Sequence, residues 1–474
     1  MMKTTSIRGW LVAGALCALF SVQARAQIVE FRATINAAQE TPATASAATG
    51  SAILLYDVSA NTFDLIVTIN DFTNTLTASH IHEGVAGVAG PVVTNFGAEA
   101  VYTRTGNTLR ATFRGVTHGG TKLTLLQNGA YLNFHSAASP AGEIRGQLIA
   151  QPKRLIANIS VAQEQATTTT TTITSNAFGA AVMTYDPGTN KINLRISLYN
   201  FANTFTNSHY HEAAPGVNGP VVTGLGAGTV ANYVREGNNY AGTFLNLTYA
   251  GDPVKLLTGG AYLNFHSNIY AGGEIRGQVL PAEELISTRV ANIATRGFVG
   301  TGAQVLIAGF SITGNEPVRM LIDAKGPSLA DFGITGALAN PSLSIFDSAG
   351  RSIGTNDDVG TPAVGTELAG LFGVPTNPLE SALLVILPPG NYTAIVSGNG
   401  GGTGIALVEA TDMRGNSTII NTRAAGAEVL AEFNRDLRAA ARNPLCAAKA
   451  ATSPEVCVGV PLATSALAAT ATKR

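Results

Sequence analysis

Histidine is scarce in this chain, with 7 in 474 residues, and six of the seven stand at repeated positions. Ser79-His80-Ile81-His82-Glu83 returns as Ser208-His209-Tyr210-His211-Glu212. A second block, Tyr131-Leu132-Asn133-Phe134-His135-Ser136, returns as Tyr262-Leu263-Asn264-Phe265-His266-Ser267. Residues i and i+2 of a strand share a face, with Cα atoms about 6.5–7 Å apart. Two imidazoles at that spacing can lean onto one metal ion, with metal–nitrogen bonds of about 2 Å. His80 and His82, and likewise His209 and His211, are therefore candidate ligand pairs, with Ile81 and Tyr210 pointing the other way. His135 and His266 would complete a three-nitrogen site in each copy. All-imidazole donors suit copper or zinc, not calcium or magnesium. A His-x-His pair on an exposed strand is equally compatible with solvation, and His135 with a hydrogen bond to a backbone carbonyl.

A third block, Gly142-Glu143-Ile144-Arg145-Gly146-Gln147, returns as Gly273-Glu274-Ile275-Arg276-Gly277-Gln278. Glu143 and Arg145, like Glu274 and Arg276, read first as an ion pair at a strand end, or as groups beside the metal ligands, the arginine steering an anion towards the metal. Glu83 and Glu212 read first as solvated turn residues, with ligand and orienting roles as alternatives. The glycines after each His pair (Gly84, Gly87 and Gly90; Gly216 and Gly219) lack the Gly-Lys-Ser/Thr sequel of a phosphate-binding loop. His118 lies outside the repeated blocks.

The elements that must carry these blocks read as strands. Ala52–Tyr56 and Phe63–Ile69 are rich in β-branched and aliphatic residues, separated by Asp57, Asn61 and Asn70-Asp71. The length predicts several domains. Residues 27–150 form a first unit and 153–282 its repeat: His80 and His209 are 129 apart, and His135 and His266 are 131 apart. Gln39-Glu40 matches Gln163-Glu164 at 124, which places five extra residues in the threonine run Thr167–Thr172, a surface loop. Residues 287–413 contain no histidine and read as a further β-sandwich, with Pro388–Asn391 a tight turn and Gly398–Gly404 a hairpin loop. Asn356-Asp357-Asp358 reads as a solvated turn. Residues 414–474 form an Ala-rich tail with a short helix over Ala424–Arg442 and a loose, partly disordered end. The fold class is all-β: two tandem antiparallel barrels, a third sandwich and that tail.

The first 26 residues read as a secretory signal: basic Lys3 and Arg8, an apolar run from Trp10 to Val22, then Ala24-Arg25-Ala26 before the cut. Removing it takes the formal charge from −1 to −4. With charged residues at 12% and no basic run, the chain shows no nucleic-acid signature. No later apolar run is long enough to cross a bilayer, so no transmembrane anchor is expected and the mature chain is placed outside the cell or in the periplasm. Cys446 and Cys457, both in the tail, are a disulfide candidate in such a compartment.

The three blocks together resemble the CHRD (chordin-type) domain over nearly all of both units. The resemblance implies immunoglobulin-like β-barrels distantly similar to copper/zinc superoxide dismutase. His80 and His82, and His209 and His211, match that enzyme's copper-binding His-x-His strand. Neither unit has a histidine-dense loop for a bridging zinc, nor a cysteine pair. The resulting expectation is a secreted, non-enzymatic binding or structural protein with an unidentified extracellular ligand or surface as partner. The alternatives are a copper redox enzyme and a metal-sequestering protein. No nucleophile–base pair or cofactor fingerprint marks a catalytic site.

Overall fold

The computed structural model describes residues 27–165, 172–282, 292–314, 316–359, 368, 371 and 373–413. The expected secretory signal, the expected tail helix, Cys446 and Cys457, and all of the threonine run but Thr172 lie outside the described residues.

The first unit is one curled antiparallel sheet. Its strands are β1 (Ile28–Asn36), β2 (Thr49–Asp57), β3 (Thr62–Asn70), β4 (Leu76–Glu83), β5 (Val92–Gly97), β6 (Thr103–Thr105), β7 (Thr108–Thr117), β8 (Ala130–Ser136), β9 (Ile144–Gln147) and β10 (Ile149–Ala150). They run in the order β5-β4-β8-β9-β1-β2-β3-β7-β6, with β10 also on β1. The five-residue helix α1 (Lys122–Leu126) precedes β8. Alternation sets the inner face: Phe31, Ile35, Leu54, Tyr56, Leu65, Ile69, Ile81, Leu132 and Phe134 are all buried. The sheet curls until its ends meet through aromatic contacts, with the Phe96 and Phe113 rings 4.7 Å apart.

The second unit repeats the plan. Its strands are β11 (Lys153–Ser160), β12 (Phe178–Asp186), β13 (Lys191–Tyr199), β14 (Phe205–His211), β15 (Val221–Gly224), β16 (Tyr233–Glu236), β17 (Asn239–Thr248), β18 (Ala261–Ser267) and β19 (Ile275–Pro281), with α2 (Pro253–Leu257) before β18. The order β15-β14-β18-β19-β11-β12-β13-β17-β16 matches the first unit position for position.

The third domain is a sandwich of two four-stranded sheets. One contains β20 (Asn292–Val299), β22 (Val318–Lys325), β25 (Ser381–Leu387) and β27 (Gly404–Asp412). The other contains β21 (Leu306–Ile312), β23 (Pro341–Asp347), β24 (Ser352–Asn356) and β26 (Gly390–Gly398). The expected hairpin at Gly398–Gly404 is corrected here. Strands β26 and β27 belong to different sheets, so the glycine loop carries the chain across the sandwich. The Pro388-Pro389 turn likewise passes from β25 in one sheet to β26 in the other. Every second side chain of β26 enters the shared core (Tyr392, Ala394, Val396), and it supplies that face without pairing with its sequence neighbours.

The third domain docks on the second unit. Tyr199, at the end of β13, is buried in the sandwich core, and its hydroxyl donates to the Ile386 carbonyl at 3.0 Å. The Arg351 guanidinium lies 4.5 Å from the Phe178 ring centre and donates to the Asn176 carbonyl. The equivalent positions in the first unit, Thr49 and Asn70, are polar and exposed. A cleft of about 540 Å³ opens at this junction, between Ser160 and Phe178 on one side and Asp347 and Arg351 on the other.

Candidate metal centre

The site lies on the outer face of the β4–β8–β9 half of the sheet. Register places His80 opposite Asn133 and His82 opposite Tyr131 across β4 and β8, and Asn133 opposite Arg145 across β8 and β9. Side chains at i, i+2 and i+4 of β8, namely Tyr131, Asn133 and His135, therefore line one face beside the two β4 histidines. All seven residues of β8 are buried, so this outer face is covered as fully as the inner one.

The three imidazoles converge. His80 Nδ1 lies 3.1 Å from His135 Nε2, and one nitrogen from each of the three rings falls within 4.8 Å of the others. The second unit repeats this with His209, His211 and His266, and a 3.3 Å separation between His209 Nδ1 and His266 Nε2.

Backbone carbonyls settle the tautomers, because a carbonyl only accepts. His82 Nδ1–H donates to the Gly90 carbonyl at 2.8 Å, and His135 Nδ1–H donates to Pro140 at 3.0 Å. His211 and His266 donate in the same way to Gly219 and Ala271. The Nε2 lone pairs of all four rings then face the cluster. Those of His82 and His211 are buried with no hydrogen-bond partner. An outward N–H anchored on a carbonyl and an inward bare nitrogen is the arrangement that orients an imidazole as a metal ligand. Burial is the main force that favours the neutral form at five of the six rings. It holds His80 and His209 down at about 4, assisted by their histidine neighbours, and lowers His82, His211 and His266 as well. A neutral imidazole is the form that binds a metal.

The loop after each His pair forms the wall of the site. In the first unit Arg145 donates to the carbonyls of Val85 and Val88, both at 2.9 Å, and Gln147 donates to that of Gly84. The Gly90 N–H donates to the Tyr131 hydroxyl. Arg276, Gln278 and Tyr262 hold the second loop by the same bonds. Gly87 has φ +78°, and a side chain at Gly90 would collide with the Glu83 carbonyl, so the tight return requires glycine at both positions. Strand order puts Tyr131 between His82 and Arg145. The His82 and Tyr131 rings stack at 5.0 Å, and the guanidinium sits 3.4 Å from the Tyr131 ring centre.

Two sequence expectations need correction. Glu143 and Arg145 do not pair. The Glu143 carboxylate accepts from Ser46 and Asn74, while the guanidinium is used by the loop carbonyls and Gln147. Glu274 likewise accepts from Ser175 and Asn203, away from Arg276. Glu143 precedes β9, so the i, i+2 geometry of a strand does not apply to it. Glu83 and Glu212 are not solvated turn residues. Glu83 follows His82 and so faces the opposite side, where it accepts from the Thr121 N–H at the start of α1. The Glu212 side chain is only 7% exposed and accepts from the Asp252 N–H, Tyr249 hydroxyl and Lys255 ammonium.

Tyr131, Gln147 and Glu40 were not singled out for roles by spacing, although Tyr262, Gln278 and Glu164 repeat them. That identity across the two copies was the available signal. Glu40 and Asn133 each bury an oxygen without a hydrogen-bond partner, and both oxygens border Gly142. Burial pushes the Glu40 carboxyl up to about 7 against the pull of Arg145. Glu164 and Asn264 border Gly273 in the same way.

The CHRD domain model matches residues 31–148 and 155–279, just over half of the chain. The chain belongs to the CHRD domain family. The two matched segments coincide with the two curled sheets, so each CHRD domain carries one complete histidine triad. No curated protein matches the chain. No helix among the described residues is long and apolar enough to cross a membrane.

Proposed function

We propose that this chain is an exported binding and display protein whose two CHRD domains each take one copper or zinc ion on three imidazoles. The observation that carries this reading is the buried, unpartnered Nε2 of His82 and of His211, each aimed at two further imidazoles. A buried nitrogen without a partner costs stability, of the order of 1–3 kcal/mol, that an ion would recover. The same cost recurs in two diverged copies, with the same carbonyl anchors behind it. The CHRD match and the secretory reading of the first 26 residues support placement outside the cytoplasm. Metal analysis of the purified mature protein is expected to give about two ions per chain, lost together in a His80→Ala/His209→Ala double variant. A wild-type protein that takes up neither copper nor zinc, and whose melting temperature neither metal moves, refutes the reading.

His80 is only partly buried, so solvent reaches the cluster from its side, the observation that favours a copper redox role as a second reading. Superoxide consumption by the copper-loaded protein, absent from the double variant, would establish it.

A further inference from the structure

This step rests on the metal-binding reading and concerns which ion the sites prefer. We infer that both histidine triads are built for monovalent copper, Cu(I), in preference to Zn(II) or Cu(II). The first ground is donor charge. Each triad offers three imidazoles, which bind an ion in their uncharged form, and among the described residues no Asp, Glu or Cys completes either set. Nothing in the donor set therefore offsets a second positive charge on the ion.

The second ground is a fixed cation behind the site. The Arg145 guanidinium is 3.4 Å from the Tyr131 ring centre, and the His82 ring centre is 5.0 Å from it. Arg145 is thus no more than 8.4 Å from the His82 ring. In the second unit the same limit, through Tyr262, is 8.3 Å. Both arginines are almost wholly buried, so solvent screens them little. Their hydrogen-bond partners are neutral: two loop carbonyls and a glutamine amide oxygen. Glu40, the carboxyl whose field reaches Arg145, is itself kept partly protonated near neutral pH, so it offsets the guanidinium only in part. A dication in the triad meets twice the repulsion that a monocation meets.

The third ground is coordination number. Zn(II) is ordinarily four-coordinate and Cu(II) prefers tetragonal sets, so both would have to hold water beside the three imidazoles, against the repulsion of the buried guanidinium. Cu(I) is content with three.

The test uses the metal-free mature chain, titrated without oxygen. Cu(I) competes against a colorimetric Cu(I) chelator, and Zn(II) against a zinc indicator. The expected result is two Cu(I) per chain, bound at least about tenfold more tightly than Zn(II). Removing the charge in Arg145→Leu/Arg276→Leu is expected to narrow the Cu(I)-to-Zn(II) ratio by about tenfold. Arg145→Lys/Arg276→Lys keeps the charge but loses the forked clamp, and is expected to retain the ratio. If the leucine variant does not fold, the wild-type ratio alone decides. Zn(II) bound as tightly as Cu(I) overturns this inference and leaves metal binding standing. Uptake of neither ion overturns both.

Discussion

At the scale of single residues, the site is held by side chains that never face the ion. Arg145, Tyr131 and Gln147 bind the backbone of the loop, and only Tyr131 touches a histidine. Replacing Arg145 by Ala removes the donor to the Val85 and Val88 carbonyls, leaves only the Val88 N–H on the Val85 carbonyl, and empties the space over Tyr131. Denaturant unfolding should show a loss of about 2–3 kcal/mol. Tyr131→Phe removes one hydrogen bond, from Gly90 N–H, and should lower stability by about 1 kcal/mol while keeping the stack on His82. Glu40 gives a pH signature. Its carboxyl is raised from 4.5 to about 7 in the folded chain, so the protonated form is the one the fold favours. The stability it contributes is full below about 4.5 and lost as pH rises through 7. Glu40→Gln should therefore be more stable than the wild type at pH 8, with the difference closing toward pH 4. Urea midpoints at the two pH values measure it, and a constant difference would exclude Glu40 as the source.

At the scale of elements, the unit of design is a strand, its return loop and the next two strands. The loop from Gly84 to Gly90 descends over the outer face of the sheet and turns an exposed surface into a second, polar core. Gly90→Ala forces the loop away from the Glu83 carbonyl and so removes the acceptor that orients His82. Metal stoichiometry should fall from about two to about one per chain, with the second domain unaffected. Retention of both ions would show that the loop does not position the ring. The recurrence of Gly87, Gly90 and Gln147 was visible in the repeat. Their purpose was not, because a loop that closes onto a sheet face leaves no period in the sequence. Glu143 and Arg145 show the same limit. Two residues apart in the chain, they were read as partners, yet the fold hands one to Ser46 and Asn74, 97 and 69 positions away, and the other to the loop after β4.

At the scale of the whole molecule, the two CHRD domains are not equivalent, because only the second carries the face that receives the third domain. Tyr199 and Phe178 stand where the first domain has exposed Asn70 and Thr49. Tyr199→Ala should cost about 3–5 kcal/mol at that junction. It should split one thermal transition into two by calorimetry, while Asn70→Ala in the first domain should be silent. A single unshifted transition in Tyr199→Ala would show that the junction contributes nothing to the fold.

Periodicity and recurrence in the amino-acid sequence determined the β class, the duplication, the family and the six histidines, because alternation and identity between copies are properties of the chain alone. Tertiary structure decided which groups meet. It brought His135 to the His80–His82 pair across more than fifty residues, turned Glu83 away from it, and separated Glu143 from Arg145. Those outcomes depend on strand register and on the path of a covering loop, which are settled by the packing of the whole sheet and are written in no local stretch.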